Sequence, residues 1–509
     1  MSEKPADAAP RGDLQRAREA RAATLDDARP KAVAQQRKRG RWTTREAIAA
    51  LTDGGSFVEY GGLVRPAVKG MEGAADGIVM GTARIDGRPV DLMFYDYTVY
   101  AGTQSAMNHQ KATRIFEHAE RNRLPVVCWL DGGGARPHDM TVDTRGATPT
   151  FVVFARLSGL VPTIGILPGR AFAGQANLAG MCDLLIGLEG TSMGMAGPPL
   201  VEAALGVRLT PEEIGPIDVH VASGVVDVLV KDEAQAIAVA KKYLGYFSGP
   251  SPTFTAPPDP TALRDIVPES PRRAYNVRKV IDGLADVGSV LELKPAFGRA
   301  VVTSLIRLGG RPVGVVANQP MFLAGAIDSP ASVKTARFIQ ICDAFDIPVL
   351  LLCDTPGLMV GPDVEKTGLV RHSARVLTAL ANATIPVMTV VLRKAYGLGY
   401  YIMGSRPLNP AILLAWPTAE YGGMGLEGAV NIIYRQELEA VADLDERAAL
   451  HKRLTDELKR SNTAVEVASR FHYDDVIDPA DTREILLNTL ATVPPPPPRA
   501  TRKRLIEPF

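Results

Sequence analysis

Short apolar runs alternate with amphipathic segments along the first half of this chain. The runs at residues 124–130 and 164–167 stop at turns rich in glycine or proline, a pattern typical of strands that are buried on both faces. Residues 106–122 repeat apolar positions every three or four residues, as an amphipathic helix does. Strands that alternate with helices in this way predict a layered α/β core.

The second half follows the same plan. A helix is predicted at residues 332–345, and buried strands are predicted at 349–353 and 387–392. Between the halves, residues 248–260 contain five prolines and show no hydrophobic period, as linkers do. The predicted domains are residues 1–255 and 256–509.

The two halves also share sequence at an almost constant offset. The repeated pairs, all 223 residues apart, are GRPV at residues 87–90 and 310–313, Lys111 and Lys334, and Asp131 and Asp354. Such spacing indicates one structural unit that is used twice. We therefore expect two equivalent sites, and a reaction that needs both.

Composition narrows the possible functions. The formal net charge is +1, so a nucleic-acid partner bound through its phosphates is not expected. No apolar run reaches the ~18 residues that cross a bilayer. The four cysteines are isolated from one another, which predicts a cytoplasmic protein with reduced thiols. Neither the cysteines nor the histidines have metal-ligand spacing, so no metal site is predicted.

Each half contains a glycine-bearing turn between an apolar strand and a helix. These turns cover residues 169–175 (GRAFAGQ) and 393–399 (RKAYGLG). Amides in the first turn of a helix have no helical acceptor and favour negative charge nearby. If that charge develops only in a transition state, the turn is an oxyanion hole. Glycine-containing turns at residues 131–135 and 354–357 also follow buried strands. The alternative is that all four turns serve packing only.

At these residues the chain resembles the carboxyltransferase (β) subunit of biotin-dependent acyl-CoA carboxylases. The resemblance is to the propionyl-CoA carboxylase type, within the crotonase superfamily. It runs from about residue 40 to residue 504 and is strongest at 310–323, 336–356, 393–397 and 415–431. It implies an α/β fold of two tandem crotonase-like (ClpP/crotonase) ββα-superhelix domains related by internal duplication.

The resemblance also implies a reaction and partners. A carboxyl group passes from carboxybiotin, held on a separate carrier protein, to the α-carbon of a coenzyme A ester. Enolates form on the thioester and on the ureido group of biotin, so two clusters of amide donors are needed. The implied partners are a biotin carboxylase and a biotin carboxyl carrier subunit. The implied assembly is a homo-hexamer whose active sites combine the first domain of one subunit with the second domain of another.

Site residues are assigned by their positions in the resembling motifs. Ala173 and Gly174 would donate amides to the thioester oxygen, and Leu398 and Gly399 to the ureido oxygen. The other substrate-binding positions are Gly133, Gly134, Ala135 and Tyr401, and the biotin-side positions are Ala395, Tyr396 and Gly397.

Several of these positions depart from the family, among them Leu398 and Gly399, which stand where the family has glycine and alanine and are compatible with amide donors. Ala173 stands where the family has glycine, and alanine fits there if its φ angle is negative. Tyr401 replaces an aspartate that influences acyl-chain choice, which indicates a different acyl group.

Three other functions stay open from the sequence. A decarboxylase subunit would run the same transfer in reverse, onto biotin. A crotonase-type hydratase has glutamate where this chain has Asn177, which disfavours that reaction. A scaffold that binds CoA esters without catalysis is compatible with the altered glycine turns. The chain has neither an ATP-grasp loop nor a Met-Lys-Met biotinylation motif, so we expect it to need a separate carboxylase and carrier.

Overall fold

Strands and helices alternate through residues 11–137, 139, 149–270, 273–494 and 505–508, the part of the chain that the computed structural model describes. Contacts divide the chain into two units, Met1–Leu244 and Gly245–Phe509. This division precedes the proline-rich segment, and the domain boundary at residues 255 and 256 stays a prediction.

The first unit is built on a seven-stranded sheet with a small two-stranded sheet beside it. The strands are β1 Val58–Tyr60, β2 Ile78–Ile85, β3 Arg88–Tyr95, β4 Val126–Trp129, β5 Thr163–Leu167, β6 Arg170–Phe172, β7 Leu184–Leu188, β8 Ser192–Gly194 and β9 Val228–Val230. The large sheet has the order β1-β2-β3-β4-β5-β7-β9, and β6 pairs with β8. Pairing is antiparallel from β1 to β3 and parallel beyond. Strands β4 and β5 are buried along their whole length, which confirms the prediction from the apolar runs, and β7 is equally buried.

The first unit has ten α-helices among its described residues. They are α1 Gly12–Ala22, α2 Pro30–Lys38, α3 Thr44–Leu51, α4 Ala106–Asn122, α5 Thr150–Ala155, α6 Gly174–Met181, α7 Pro198–Leu205, α8 Pro211–Ile214, α9 Ile217–Ala222 and α10 Glu233–Tyr246. Helix α4 has the predicted bounds, and it begins where the Ser105 side chain accepts from the N–H of Asn108. Its apolar face, which includes Ile115 and Phe116, lies in the core of this unit.

The second unit repeats this architecture. Its strands are β10 Leu291–Leu293, β11 Val301–Leu308, β12 Arg311–Asn318, β13 Val349–Thr355, β14 Val387–Tyr396, β15 Ile412–Ala415, β16 Glu420–Gly422 and β17 Asp475–Val476. They form the order β10-β11-β12-β13-β14-β15-β17, and β16 pairs with β14. The predicted strand at 387–392 ended too early, because β14 continues to Tyr396 through its pairing with β16.

Ten helices are described in the second unit. They are α11 Arg278–Leu284, α12 Ser329–Ala344, α13 Pro362–Glu365, α14 Leu369–Ala381, α15 Gly397–Tyr401, α16 Leu426–Ile433, α17 Arg435–Ala440, α18 Leu444–Ser461, α19 Ala464–Ala468 and α20 Thr482–Thr492. Helix α12 matches α4 of the first unit in its place between an antiparallel hairpin and a parallel strand. Two sheets of the same order, each made from an antiparallel edge and a parallel core, confirm the predicted internal duplication.

Lys111 and Lys334, which the repeat pairs, play the same part in each unit. Lys111 Nζ donates to the carbonyl oxygens of Ala75 and Ile78, and Lys334 Nζ donates to two carbonyl oxygens that precede β11. Both side chains are buried. Burial disfavours the charged amine, and it lowers the pKa of Lys111 to about 8 and that of Lys334 to about 7.

We expect the stability of the protein to depend on pH through Lys334. In the unfolded chain this amine keeps its proton up to its ordinary pKa of 10.5, whereas the folded protein releases it near pH 7. Between these values the unfolded state binds more protons, so the free energy of unfolding rises with pH. Urea unfolding of wild type and Lys334→Met at about pH 6.5, 8 and 9.5 should show wild type gaining stability relative to the variant. A difference that stays constant across this range would contradict the lowered pKa.

Across the described ranges, no helix is both long and apolar enough to cross a membrane.

Candidate functional site

In the first unit, the predicted turn at residues 169–175 is shorter than expected, because residues 170–172 form β6 and α6 begins at Gly174. Ala173 directly precedes α6, and its N–H donates to the carbonyl oxygen of Gly194, at the end of β8, over 2.9 Å. The next amides, those of Gly174 and Gln175, lie in the first turn of α6, where N–H groups have no acceptor within the helix. Of the two amides predicted to bind the thioester oxygen, that of Ala173 is therefore already paired, and that of Gly174 lies at the helix start.

The backbone of Ala173 is strained. Its φ angle is 53° and its ψ angle is −119°, so the condition under which alanine fits this position, a negative φ, is not met. The turn has to bring the N–H of Ala173 to Gly194 and start a helix at the next residue, and this combination imposes the angles. An L-residue held in such a sparsely populated region costs about 1–3 kcal/mol, whereas glycine adopts it at little cost.

Gly174 has no room for a side chain. A Cβ atom there would lie 2.2 Å from Gln104 Oε1 and 2.9 Å from Cζ of Phe151. Gln104 is buried and its amide nitrogen donates to the hydroxyl of Tyr95 over 2.8 Å, so it is held in place. The glycine that the sequence marked is therefore required by close packing as well as by its position in the turn.

The second predicted turn of this unit, residues 131–135, lies against the first. Gly132 pairs with Ala171 in β6. Gly133 and Ala135 are exposed, and Gly134 is buried with a φ of 90°. A Cβ atom on Gly134 would lie 3.1 Å from the methyl carbon of Ala173. The three predicted substrate-binding residues of this turn thus lie next to the turn that carries Gly174.

Gly102 supports the 131–135 turn from the opposite side. Its φ is +64°, and a Cβ atom there would lie 1.9 Å from the carbonyl oxygen of Asp131. Gly87 has a similar φ of +77° but no atom within 4 Å of its Cβ position. We expect Gly87→Ala to lose about 1 kcal/mol through the backbone alone, and Gly102→Ala to lose about 1 to 2 kcal/mol more through overpacking. Chemical denaturation of both variants tests this, and equal losses would show that Gly102 does not set the position of the turn.

Asp131 fixes the start of the 131–135 turn. Its carboxylate pairs with the guanidinium of Arg41 and accepts from the N–H of Arg170 over 3.3 Å. Burial raises the pKa of Asp131 to about 6, and the charge of Arg41 opposes this rise. Arg41 also covers Gly169, where a Cβ atom would lie 2.1 Å from its guanidinium. A residue outside the repeat therefore holds both glycine turns of the first unit.

In the second unit, the predicted turn joins β14 to α15. Gly397 has a φ of 55°, and a Cβ atom there would lie 2.8 Å from the carbonyl oxygen of Gly423. Leu398 and Gly399 follow in the first turn of α15. The Leu398 side chain is 53% exposed, whereas Gly399 is buried. Their amides thus lie at the start of a helix, beside a side chain that faces solvent.

Gly399 packs directly on the second turn of its unit. A Cβ atom on Gly399 would lie 2.6 Å from Cα of Gly357. Gly357 has a φ of 126°, and its carbonyl oxygen accepts from the N–H of Ile327 over 3.1 Å. Backbone lies on backbone here, whereas Gly134 of the first unit faces the methyl carbon of Ala173.

Asp354 in the second unit corresponds to Asp131 in the first. It is fully buried, and it accepts from Nε of Arg393 over 3.1 Å and from the N–H of Lys394 over 3.1 Å. Lys394 Nζ is 3.5 Å from the same carboxylate. The arginine here is part of the repeated strand itself, unlike Arg41.

The remaining predicted site residues of this unit differ in the solvent exposure of their side chains. Ala395 is buried in β14, and the Tyr396 hydroxyl donates to Glu420 over 2.8 Å. Burial raises the pKa of Tyr396, and the nearby carboxylate of Glu420 raises it further. Tyr401 is 38% exposed at the end of α15. Only backbone atoms of Ala395 and Tyr396 are therefore suited to contact a ligand, whereas the Tyr401 ring can reach one.

Strand pairing gives the correspondence between the two turns. Phe172 pairs with Gly194 in the first unit, and Tyr396 pairs with Gly422 in the second. Phe172 and Tyr396 each immediately precede the positive-φ residue, which is Ala173 in one unit and Gly397 in the other. The offset at the turns is therefore 224, and the amides of Gly174 and Gln175 correspond to those of Leu398 and Gly399.

This geometry suits the stabilisation of two separate negative charges. Each unit places amides in the first turn of a helix that follows a strand, and donors that are already oriented stabilise developing charge without reorganisation. Among the residues that the structure describes, no group of three or more histidine, cysteine, aspartate or glutamate side chains is placed to hold a metal ion.

Sequence reasoning did not find the ion pairs below the turns. Arg41 and Asp131 are 90 positions apart, and no motif joins them. Arg393 and Asp354 lie in recognised motifs, but their contact depends on how β13 and β14 align. The repeated aspartate did indicate that a partner exists in each half, because a buried carboxylate at a strand end needs hydrogen-bond donors nearby.

Comparison with known proteins gives a consistent result. The family model described as the carboxyl transferase domain matches residues 35–495. The 12S subunit of methylmalonyl-CoA carboxyltransferase from Propionibacterium freudenreichii subsp. shermanii is 37% identical over 472 residues, which are 90% of each chain. The carboxyltransferase subunit of propionyl-CoA carboxylase from Haloferax mediterranei is 36% identical over 476 residues, 90% of this chain and 91% of that one.

Solved structures resemble the whole chain. A transcarboxylase 12S hexamer with methylmalonyl-CoA and methylmalonic acid bound has a TM-score of 0.88 and 33% identity, and the match covers 99% of this chain and 100% of that one. A single-chain, multi-domain long-chain acyl-CoA carboxylase has a TM-score of 0.88 and 42% identity over 94% of this chain. The match covers 49% of that enzyme, so this chain spans about half of its length.

Proposed function

Since this chain belongs to the carboxyl transferase domain family, we propose that it transfers a carboxyl group from carboxybiotin to the α-carbon of an acyl-CoA. The observation that carries the mechanism is the duplicated turn. Each unit places two first-turn amides next to glycines at which neighbouring segments pack too closely for a side chain. A reaction in which charge develops on two different molecules needs two such donor clusters.

In the first unit, the amides of Gly174 and Gln175 stabilise the thioester oxygen of the acyl-CoA. Loss of the α-proton places negative charge on this oxygen, and the start of α6 favours that charge. Gly133, Gly134 and Ala135 form the neighbouring wall, where two of the three residues are exposed. The site thus contacts the thioester through backbone atoms.

In the second unit, the amides of Leu398 and Gly399 bind the ureido oxygen of biotin. The fit rests on the start of α15, where Leu398 is exposed, and on Gly397, whose missing side chain lets the turn pack against the carbonyl oxygen of Gly423. Carboxybiotin supplies the carboxyl group and then a base for the α-proton. The backbone of residues 395–397 positions the edge of the biotin ring. The exposed side chain of Tyr401 lies at the end of α15.

A second copy of the chain completes the assembly. Helix α7 is apolar, yet none of its residues is buried, and Leu200 and Leu205 are more than 60% exposed. Helix α16 of the second unit exposes Ile432 and Ile433 to a similar extent. Apolar patches of this kind mark protein interfaces, and both helices follow the short strand beside a glycine turn. We expect a homo-hexamer in which the first unit of one copy meets the second unit of another.

The carboxyl group is expected to come from a partner carrier. A biotin carboxylase would load biotin on a biotin carboxyl carrier subunit, and this chain would unload it. All four cysteines are buried and none of them forms a disulfide, in keeping with the proposed cytoplasmic location.

The test of this function is a reconstitution. The purified chain is mixed with a biotinylated carrier, a biotin carboxylase, ATP, bicarbonate and acyl-CoA esters from acetyl to palmitoyl, and the products are identified by mass. We expect an acyl-CoA heavier by one carboxyl group, and none when the chain is given ATP and bicarbonate alone. Failure of every ester to gain a carboxyl group, with a carrier shown to be carboxylated, would reject the proposal.

A further inference from the structure

Ala173 has a methyl side chain at a position whose backbone angles favour glycine. Its φ of 53° and ψ of −119° are angles that glycine adopts readily and alanine does not. The corresponding residue of the second unit is Gly397, with a φ of 55°. The same turn is thus built twice, once with the residue that suits it and once with an extra methyl group.

The surroundings of Ala173 hold this strained conformation. Its N–H donates to Gly194 over 2.9 Å, and its carbonyl oxygen accepts from the N–H of Asn177 over 3.0 Å. The residue cannot relax to a negative φ without breaking a bond to β8 or unwinding the start of α6. A strained residue that persists in a functional turn points to a role for the group that causes the strain.

The methyl group lies where it limits space at the proposed acyl-CoA site. Ala173 is half-buried and directly precedes Gly174, whose amide is a proposed donor to the thioester oxygen. Its methyl carbon faces Gly134, on which a Cβ atom would lie only 3.1 Å away. The methyl group thus fills the gap between the two turns that line the site.

We propose that the methyl group of Ala173 is a specificity-determining group, which restricts the bulk that the acyl chain can carry close to the thioester. This inference rests on the proposed function. Removing the methyl group should open a space of about one methyl group beside the donors. One methylene more or less in a pocket changes selectivity about 10- to 200-fold.

The test compares two substrates that differ by one methyl group near the thioester. Butyryl-CoA is straight, and isovaleryl-CoA has one extra methyl group on its β-carbon. For Ala173→Gly we expect the ratio of kcat/KM for isovaleryl-CoA to that for butyryl-CoA to rise about 10-fold over wild type. Ala173→Ser, which adds an atom at the same place, should lower the ratio.

A matched control is available on the same helix. Gly180 lies in α6 with no atom within 4 Å of its Cβ position, so Gly180→Ala should raise the melting temperature and leave the ratio unchanged. Ala173→Gly should also raise the melting temperature, since strain is relieved. This separates a change in stability from a change in selectivity.

The outcomes distinguish this inference from the proposed function. If wild type carboxylates no acyl-CoA, the proposed function fails. If wild type is active but Ala173→Gly and Ala173→Ser have the wild-type ratio, the methyl group does not determine specificity and the inference is overturned. A ratio that rises with glycine and falls with serine supports it.

Discussion

Replacing Leu398 with proline is expected to lower the kcat of carboxyl transfer by about 10²–10³-fold, the usual effect of removing one oxyanion donor. Proline has no N–H, so the variant loses one of the two amides proposed to bind the ureido oxygen. Leu398→Ala keeps that amide and should remain close to wild type, because the leucine side chain is 53% exposed. The measurement is steady-state transfer from a carboxylated carrier to an acyl-CoA.

Leu398 is the sharpest position for this test. A proline at Gly174 or Gly399 would have no room for its side chain. A Cβ atom would lie 2.2 Å from Gln104 in the first case and 2.6 Å from Gly357 in the second, so lost activity could reflect a displaced backbone. Leu398 lies in the first helical turn, where proline is tolerated, and it follows a glycine. Comparable kcat values for the proline and alanine variants, both with wild-type melting temperatures, would remove the Leu398 amide from the mechanism.

The second large effect is expected from Asp354→Ala, which should lower the free energy of unfolding by about 3–5 kcal/mol. The variant leaves the guanidinium of Arg393 buried without its carboxylate, and the N–H of Lys394 loses its acceptor. Urea denaturation followed by circular dichroism measures the loss.

An exposed ion pair in the same unit supplies the control for Asp354→Ala. Glu439 and Arg435 are 3.0 Å apart on the surface of α17, and Glu439→Ala should cost less than about 1 kcal/mol. If the two variants lose the same stability, the buried pair does not hold the end of β13 in the way that its geometry indicates.

The repeat made most of the fold predictable. Its offset of 223 residues relates Gln104 to Ile327 and Gly134 to Gly357. The structure has the same hydrogen bond in each unit: the N–H of Gln104 donates to the carbonyl oxygen of Gly134, and the N–H of Ile327 donates to that of Gly357. Apolar runs bounded by turn residues marked the parallel strands, since strands buried on both faces must be short and apolar. The positions of the glycine turns followed from the same pattern.

The sequence did not reveal the conformation within those turns. The sign of φ at Ala173 is imposed by the bond from its N–H to Gly194, a contact between strands β6 and β8 that local sequence does not specify. The same pairing leads us to propose Gly174 and Gln175, in place of Ala173 and Gly174, as the donor pair of the first unit. The roles of all these amides in catalysis remain predictions for the variants above to test.

The sequence pattern also did not predict ion pairs between residues that lie far apart in the chain. Tyr401 and Leu398 were assigned from a motif, and both lie in the short helix α15 that this motif forms. The contact of Arg41 with Asp131 instead depends on how the residues before α3 return to the sheet. A salt bridge between residues so far apart follows from tertiary packing alone.

That contact also makes the two halves unequal as building blocks. In the second half, the buried Asp354 pairs with Arg393, which lies in the duplicated strand. In the first half, Asp131 pairs with Arg41, which lies before the repeated segment. A minimal version of this protein, or a chimaera that exchanges halves with a relative, would therefore have to keep residues 39–42 attached to the first half. The second half would need no such addition.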